Sequence, residues 1–325
     1  FLPAGVKAGI KASGNHDVAV IYSTVPAATG AVFTQNKMCA APVLVSRKVA
    51  AKSYAQAIVV NSGCANACTG EQGLKDAEAM QAQAAELLGV EDDSVYVCST
   101  GVIGHFMPMD KLAKGIADAV EAMDETGGES CAMAIQTTDT FIKHAAYEFE
   151  LGGKTVKIAG IAKGAGMIHP NMATMLTFLT TDAAVAPDVL KRAVKAAADK
   201  SFNMVVVDGD TSTNDSMIVL ANGLAENEII VSEEHPDYPA FFEALLACAQ
   251  DLAKMIARDG EGATKFLEVN VAGAATWAEA KTAAMAIAKS PLVKTAFFGK
   301  DPNWGRMVTA ARRWSRIRLT LKSTA

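Results

Sequence analysis

Three observations predict a layered fold of the α/β (α+β) class. Short β-branched runs recur along the 325 residues, helical patterns with Gly or Pro at their ends alternate with them, and no uninterrupted apolar run of about 18 residues occurs. Half of the chain is apolar and a fifth is charged, enough for a sizeable core, and the length suggests two domains. Aromatic residues make up only 6%, so Ala and Gly must do much of the packing.

The elements follow in order. Residues 57–60 (Ala-Ile-Val-Val) and 94–98 (Ser-Val-Tyr-Val-Cys) read as strands. Between them, Leu74, Ala77, Met80, Ala84 and Leu87 keep helical spacing over 72–88, with Gly89 suited to the end of the helix. Residues 175–179 predict a strand. Pro187 opens a helix whose face carries Val189, Leu190, Ala193, Val194 and Ala197. Residues 204–207 (Met-Val-Val-Val) predict another buried strand, 240–256 a long helix, and 266–271 a strand. An acidic, Gly-rich turn at 258–262 marks the expected boundary between a main domain, 1–262, and a smaller one, 263–325. After Asp301 no acid occurs while Arg306, Arg312, Arg313, Arg316, Arg318 and Lys322 accumulate, which predicts a solvated or disordered end.

Composition excludes several functions. A net charge of −5 argues against a dedicated nucleic-acid binder, and nothing predicts a membrane span. Six scattered cysteines fit free thiols in a reducing compartment, so the cytoplasm is expected, or an organelle if a leader has been removed. Cys64 and Cys68 lack further ligands at zinc spacing, and no metal is expected. Gly152-Gly153-Lys154-Thr155 has Glu148 where a phosphate loop needs Gly. Asp208 to Asn214 opens like a calcium loop but has Thr213 and Val219 where Gly and Glu belong, so a hydrogen-bonded turn is expected there.

One segment concentrates turn residues: Lys163-Gly-Ala-Gly-Met-Ile-His-Pro-Asn-Met-Ala-Thr174-Met-Leu176. By composition it is a surface loop before a strand. It also fits a self-cleaving nucleophile. The Thr174 hydroxyl would attack the carbonyl of Ala173, and the freed α-amine, with an ordinary pKa of about 7.7–8, would serve as its own base. In a second loop, 98–104, Thr100 offers a hydroxyl and Gly101 a backbone N–H, a pair able to hold an oxyanion, or an ordinary turn.

Taken together, KGAGMIHPNMATML (163–176), STGVIG (99–104), QTTDT (136–140), VDGDTSTND (207–215), DGEGATK (259–265) and GKDPNWGR (299–306) resemble the ornithine acetyltransferases, the bifunctional glutamate N-acetyltransferases of arginine biosynthesis. The opening, GVKAGIK (5–11) and VFTQN (32–36), is similar as well.

The resemblance implies two packed β-sheets flanked by helices, an αββα arrangement, with a smaller C-terminal α/β domain that is truncated here. It implies cleavage between Ala173 and Thr174 into two chains that stay together, as a heterotetramer of two such pairs. Thr174 would carry an acetyl group from N-acetylornithine to glutamate, with Thr100 and Gly101 stabilising the oxyanion. Thr137, Lys163, Thr174 and Glu261 would contact substrate. No cofactor is implied, and acetyl-CoA is left open as a second acetyl donor. The family's C-terminal substrate contacts find no matching position after Arg306. Two rival readings stand beside this one: a self-processing aminopeptidase or amidase with water as acceptor, and an inactive truncated homologue.

Overall fold

The computed structural model describes residues 1–168, 175–311 and 318–324. The strands of the main body are β1 (Leu2–Val6), β2 (Val18–Phe33), β3 (Tyr54–Cys64), β4 (Val95–Val102), β5 (Lys143–Leu151), β6 (Lys154–Lys163), β7 (Leu176–Thr181) and β8 (Ser216–Ala221). Hydrogen bonds join seven of them in the order β4-β3-β2-β8-β7-β6-β5, with β1 on β2. The 16-residue β2 links two halves. Its early residues pair with β3, its register shifts between Tyr22 and Ala27, and Ala28 to Phe33 pair with β8. A bulge of this kind bends a strand, and here it lets one half fold over the other.

Three core layers prove the stacking. On β2, β3 and β4, Val18, Val20, Val59, Val95 and Val97 face the helices α2 (Gly70–Leu88) and α3 (Met109–Glu121). Their alternates Ala19, Ile21, Ile58, Val60, Tyr96 and Cys98 share a cluster with Leu176 and Phe178 of β7 and Ile218 and Leu220 of β8. The opposite faces of β7 and β8, through Leu179, Met217 and Val219, pack on α5 (Pro187–Asp199) and α6 (Tyr238–Arg258). Side chains alternate across each strand, so both faces of both halves are buried. The order of layers is helix, sheet, sheet, helix: the αββα arrangement.

Local chemistry sets the helix ends. Gly89 takes φ +68° after α2 and closes it by donating to Ala85 and Glu86 carbonyls. Pro187 sits in the first turn of α5, and Gly30 lets that helix approach β2, since a Cβ there would lie 2.9 Å from Val194. α1 (Ala41–Ala50) and α4 (Gly128–Ile135) cover the flanks of the first half.

Two sequence expectations are corrected. Residues 204–207 form no strand; Phe202 to Met204 make a 3₁₀ turn, and the backbone N–H of Val207 donates to Ile168 instead. β-Branched composition favoured a strand, yet among the described residues no strand pairs with this segment. Part of the basic tail is also ordered rather than disordered. β10 (Arg318–Thr324) pairs antiparallel with β9 (Phe266–Ala272) through seven residue pairs, beside α7 (Trp277–Ala288), α8 (Pro291–Phe298) and α9 (Trp304–Ala310). Arg312, Arg313 and Arg316 lie outside the described residues. The turn expected at 208–214 is present, with Asp208 accepting the N–H groups of Asp210 and Ile168.

Candidate active site

The strands bring three of the predicted residues to one end of the sandwich. β3 and β4 run parallel, pairing Ser62 with Thr100 and Gly63 with Gly101. Gly101 has φ +129°, and a Cβ there would collide with the backbone of Gly63, so only Gly fits this close approach. Lys163 ends β6, and its buried side chain crosses to β4, where Nζ donates to Thr100 Oγ1 at 3.1 Å. With its lone pair engaged by the ammonium, the Thr100 hydroxyl keeps its proton for another acceptor.

Thr174 and Ala173 lie outside the described residues. Their neighbour Met175 is fixed from two sides: its N–H donates to Asp215 Oδ1 at 2.7 Å, and its carbonyl accepts from Ser216 N–H at 3.0 Å. β7 then runs parallel to β8 with Leu176 opposite Ser216, and antiparallel to β6 with Leu176 opposite Lys163. The same loop reaches the oxyanion strand, since Asn214 Nδ2 donates to the carbonyls of Ser99 and Ala65 at 2.8 and 2.7 Å.

The charges are unusual for an interior. Burial pulls the Lys163 ammonium below its ordinary value; Asp139, Asp215 and Glu261 oppose that shift and Lys143 adds to it. Asp215 is buried, and its Oδ2 has no hydrogen-bond partner among the described residues. Its burial pushes the carboxyl well above the ordinary range, while the Met175 N–H, the Lys163 charge and the Ser212 hydroxyl pull it back. Lys11, whose Nζ donates to the His16 carbonyl at 2.7 Å, falls to about 8 through burial, and the nearby Lys163 lowers it further. The adjacent thiols are poor nucleophiles, because burial pushes Cys98 and Cys131 up to about 12.

Glu261 and Thr137 are exposed. The Glu261 carboxylate lies against Gly166, where a Cβ would be 2.5 Å from Cδ, and its N–H donates to Ala165 at 2.8 Å. Thr137 N–H donates to Asp139 Oδ2 at 3.0 Å. Thr100, Gly101 and Lys163 thus meet directly, and Glu261 covers the loop that follows Lys163.

Sequence reasoning assigned no role to Asp139, Lys143, Asp215 or Asp259. All four side chains are buried, although their residue types predict exposure. The one available signal was position: Asp215 directly precedes an apolar strand.

Fold and site define an enzyme of the acyl-transfer class, built as an αββα sandwich with a hydroxyl, an ammonium and a Gly N–H at one end. The ArgJ family model matches residues 3–320, and the chain belongs to this family. It is 54% identical over 313 residues to the arginine biosynthesis bifunctional protein ArgJ of Symbiobacterium thermophilum, covering 95% of this chain and 77% of that protein. The protein of the same name from Caldanaerobacter subterraneus subsp. tengcongensis is 52% identical over 310 residues, covering 95% and 76%. Among solved structures, the arginine biosynthesis bifunctional protein ArgJ of Bacillus halodurans is 44% identical, with a TM-score of 0.50, covering 52% of this chain and 89% of that one.

Proposed function

We propose that the protein transfers an acetyl group from N²-acetyl-L-ornithine to L-glutamate through an acetyl-Thr174 intermediate. The observation that carries this reading is the Lys163–Thr100 contact beside Gly101, with Lys163 paired opposite Leu176 at the start of the strand that follows Thr174. Membership of the ArgJ family supports it.

Processing comes first. The Thr174 hydroxyl adds to the Ala173 carbonyl, the C–N bond breaks, and an ester joins the two residues. Water then hydrolyses that ester, leaving a carboxylate on Ala173 and a free α-amine on Thr174.

In transfer, the Thr174 α-amine takes the hydroxyl proton as Oγ attacks the acetyl carbonyl. The Thr100 hydroxyl and Gly101 N–H donate to the oxyanion, and collapse expels ornithine with the proton returned to its nitrogen. The glutamate amine then attacks the acetyl ester, restoring Thr174. Lys163 pairs with the α-carboxylate common to both amino acids, Glu261 with an ammonium, and Thr137 with a polar substrate atom. These residues suffice without a metal or coenzyme, and acetyl-CoA is an additional donor to be tested.

The two chains remain associated, two pairs forming a heterotetramer. Free cysteines support a reducing cytoplasm as the working compartment. No helix among the described residues is long and apolar enough to cross a membrane.

The deciding experiment incubates purified protein with N²-acetylornithine, with and without glutamate, and identifies products by mass. Acetylglutamate formed only when glutamate is present is expected. Acetate release at the same rate in both arms would overturn transfer in favour of hydrolysis.

A further inference from the structure

The Lys143 side chain is fully buried at the start of β5, with Nζ 2.6 Å from Asp139 Oδ1 and 2.5 Å from Asp259 Oδ2. Each carboxylate also receives backbone donors from loops that carry proposed substrate contacts. Asp139 Oδ1 accepts Gly164 N–H at 2.7 Å, next to Lys163, and Oδ2 accepts Thr137 N–H. Asp259 Oδ2 accepts Thr140 N–H at 2.9 Å, Oδ1 accepts the Thr140 hydroxyl, and Asp259 lies two residues before Glu261. Three segments distant in sequence, 137–140, 163–166 and 259–261, therefore close on one ammonium.

Stability gives little reason for such a group. Desolvating a buried ion pair offsets most of its attraction, and well-packed apolar residues of equal volume often do as well or better. What the arrangement supplies is position. Asp139 faces both Lys143 and Lys163, so it fixes the Gly164 backbone and serves as counter-charge to the site lysine.

We propose that Asp139, Lys143 and Asp259 are positioning residues that set the mutual spacing of Thr137, Lys163 and Glu261. They thereby determine the fit of the α-carboxylate shared by acetylornithine and glutamate and of the groups around it. The proposal rests on reading those three residues as substrate contacts. Because Lys163 meets the α-carboxylate that both substrates carry, the network must affect both of them, whatever Glu261 adds for the one with a side-chain ammonium.

The test compares wild type, Asp259→Asn, Thr140→Val and Thr140→Ser. Asp259→Asn removes one charge but keeps an acceptor; Thr140→Val removes one hydrogen bond at an exposed edge and leaves no buried charge unpaired, so it folds even where the first variant does not. KM for acetylornithine and for glutamate should rise together, roughly ten- to hundredfold in Asp259→Asn and about three- to tenfold in Thr140→Val, with kcat within about threefold. Thr140→Ser should restore both values. Hydrogen exchange should quicken together in peptides holding Thr137, Gly164 and Glu261. Unchanged KM values in folded Thr140→Val, or a rise for one substrate alone, would overturn the proposal, as would unchanged exchange at Gly164. A wild-type protein that transfers no acetyl group would overturn the functional reading, and exchange would still decide the network.

Discussion

The Lys163 ammonium lies 3.1 Å from the Thr100 hydroxyl, bridging the ends of β6 and β4 from the two halves of the sandwich. One cation thereby orients the hydroxyl proposed for the oxyanion and, in the proposed reaction, offers its remaining protons to substrate. Replacing Lys163 by Met keeps length and removes the charge. A hydrogen bond to a charged group is worth about 1.5–3 kcal/mol, so kcat/KM should fall on the order of 10- to 150-fold. Steady-state kinetics with acetylornithine checks this, and a loss under threefold would remove Lys163 from the site.

Thr174→Ala should leave a single full-length chain, because it removes the attacking hydroxyl. Wild-type protein should give two masses, the second beginning Thr174-Met175-Leu176. Intact-mass measurement separates the outcomes, and an uncut wild type that still transfers acetyl groups would sink the nucleophile assignment.

These two residues also mark the limits of what the sequence discloses. Thr100, Gly101 and Lys163 were legible because each sits in a compact motif with Gly beside a strand, and the family pattern fixed their order. The β-branched runs at 57–60 and 94–98 likewise announced strands, while their burial on both faces came only from the fold. Asp139, Lys143 and Asp259 were not legible: their partners lie up to 119 residues away, and no local pattern distinguishes a buried aspartate from a solvated one. Residues 204–207 failed for a related reason, since β-propensity says nothing about whether a neighbouring strand is available.

Thr100→Val should preserve the strand while deleting the hydroxyl. Loss of one oxyanion donor costs about 10²–10³ in kcat. Because Thr100 would supply only one of the two proposed donors, Gly101 N–H should leave a measurable residue of activity. A fall of only a few-fold would make Thr100 a turn residue.

Gly101→Ala tests the other donor through backbone strain. The φ of +129° and the contact with Gly63 exclude a side chain, so the loop must move. Stability should fall by about 1–3 kcal/mol and activity should be lost with it. Thermal melting alongside the transfer assay checks both; wild-type melting with full activity would show that the Gly63–Gly101 approach is not required.

Asp215 makes the last prediction, about pH. Its carboxyl titrates well above the ordinary range because it is buried, with Oδ2 unpaired among the described residues. A group whose folded pKa is raised above its unfolded value favours the fold while protonated. That contribution is complete below the unfolded carboxylate pKa of about 3.9 and is lost as pH rises towards the raised folded value. Asp215→Asn keeps an oxygen for the Met175 N–H and cannot ionise, so it should be spared this loss. The difference in melting temperature, variant minus wild type, should therefore grow as pH rises from about 4 to 8. Scanning calorimetry at several pH values checks it. A difference that stays flat, or shrinks with rising pH, would mean that Lys163 holds Asp215 as a carboxylate throughout, and the two would then act as an ion pair beneath Met175.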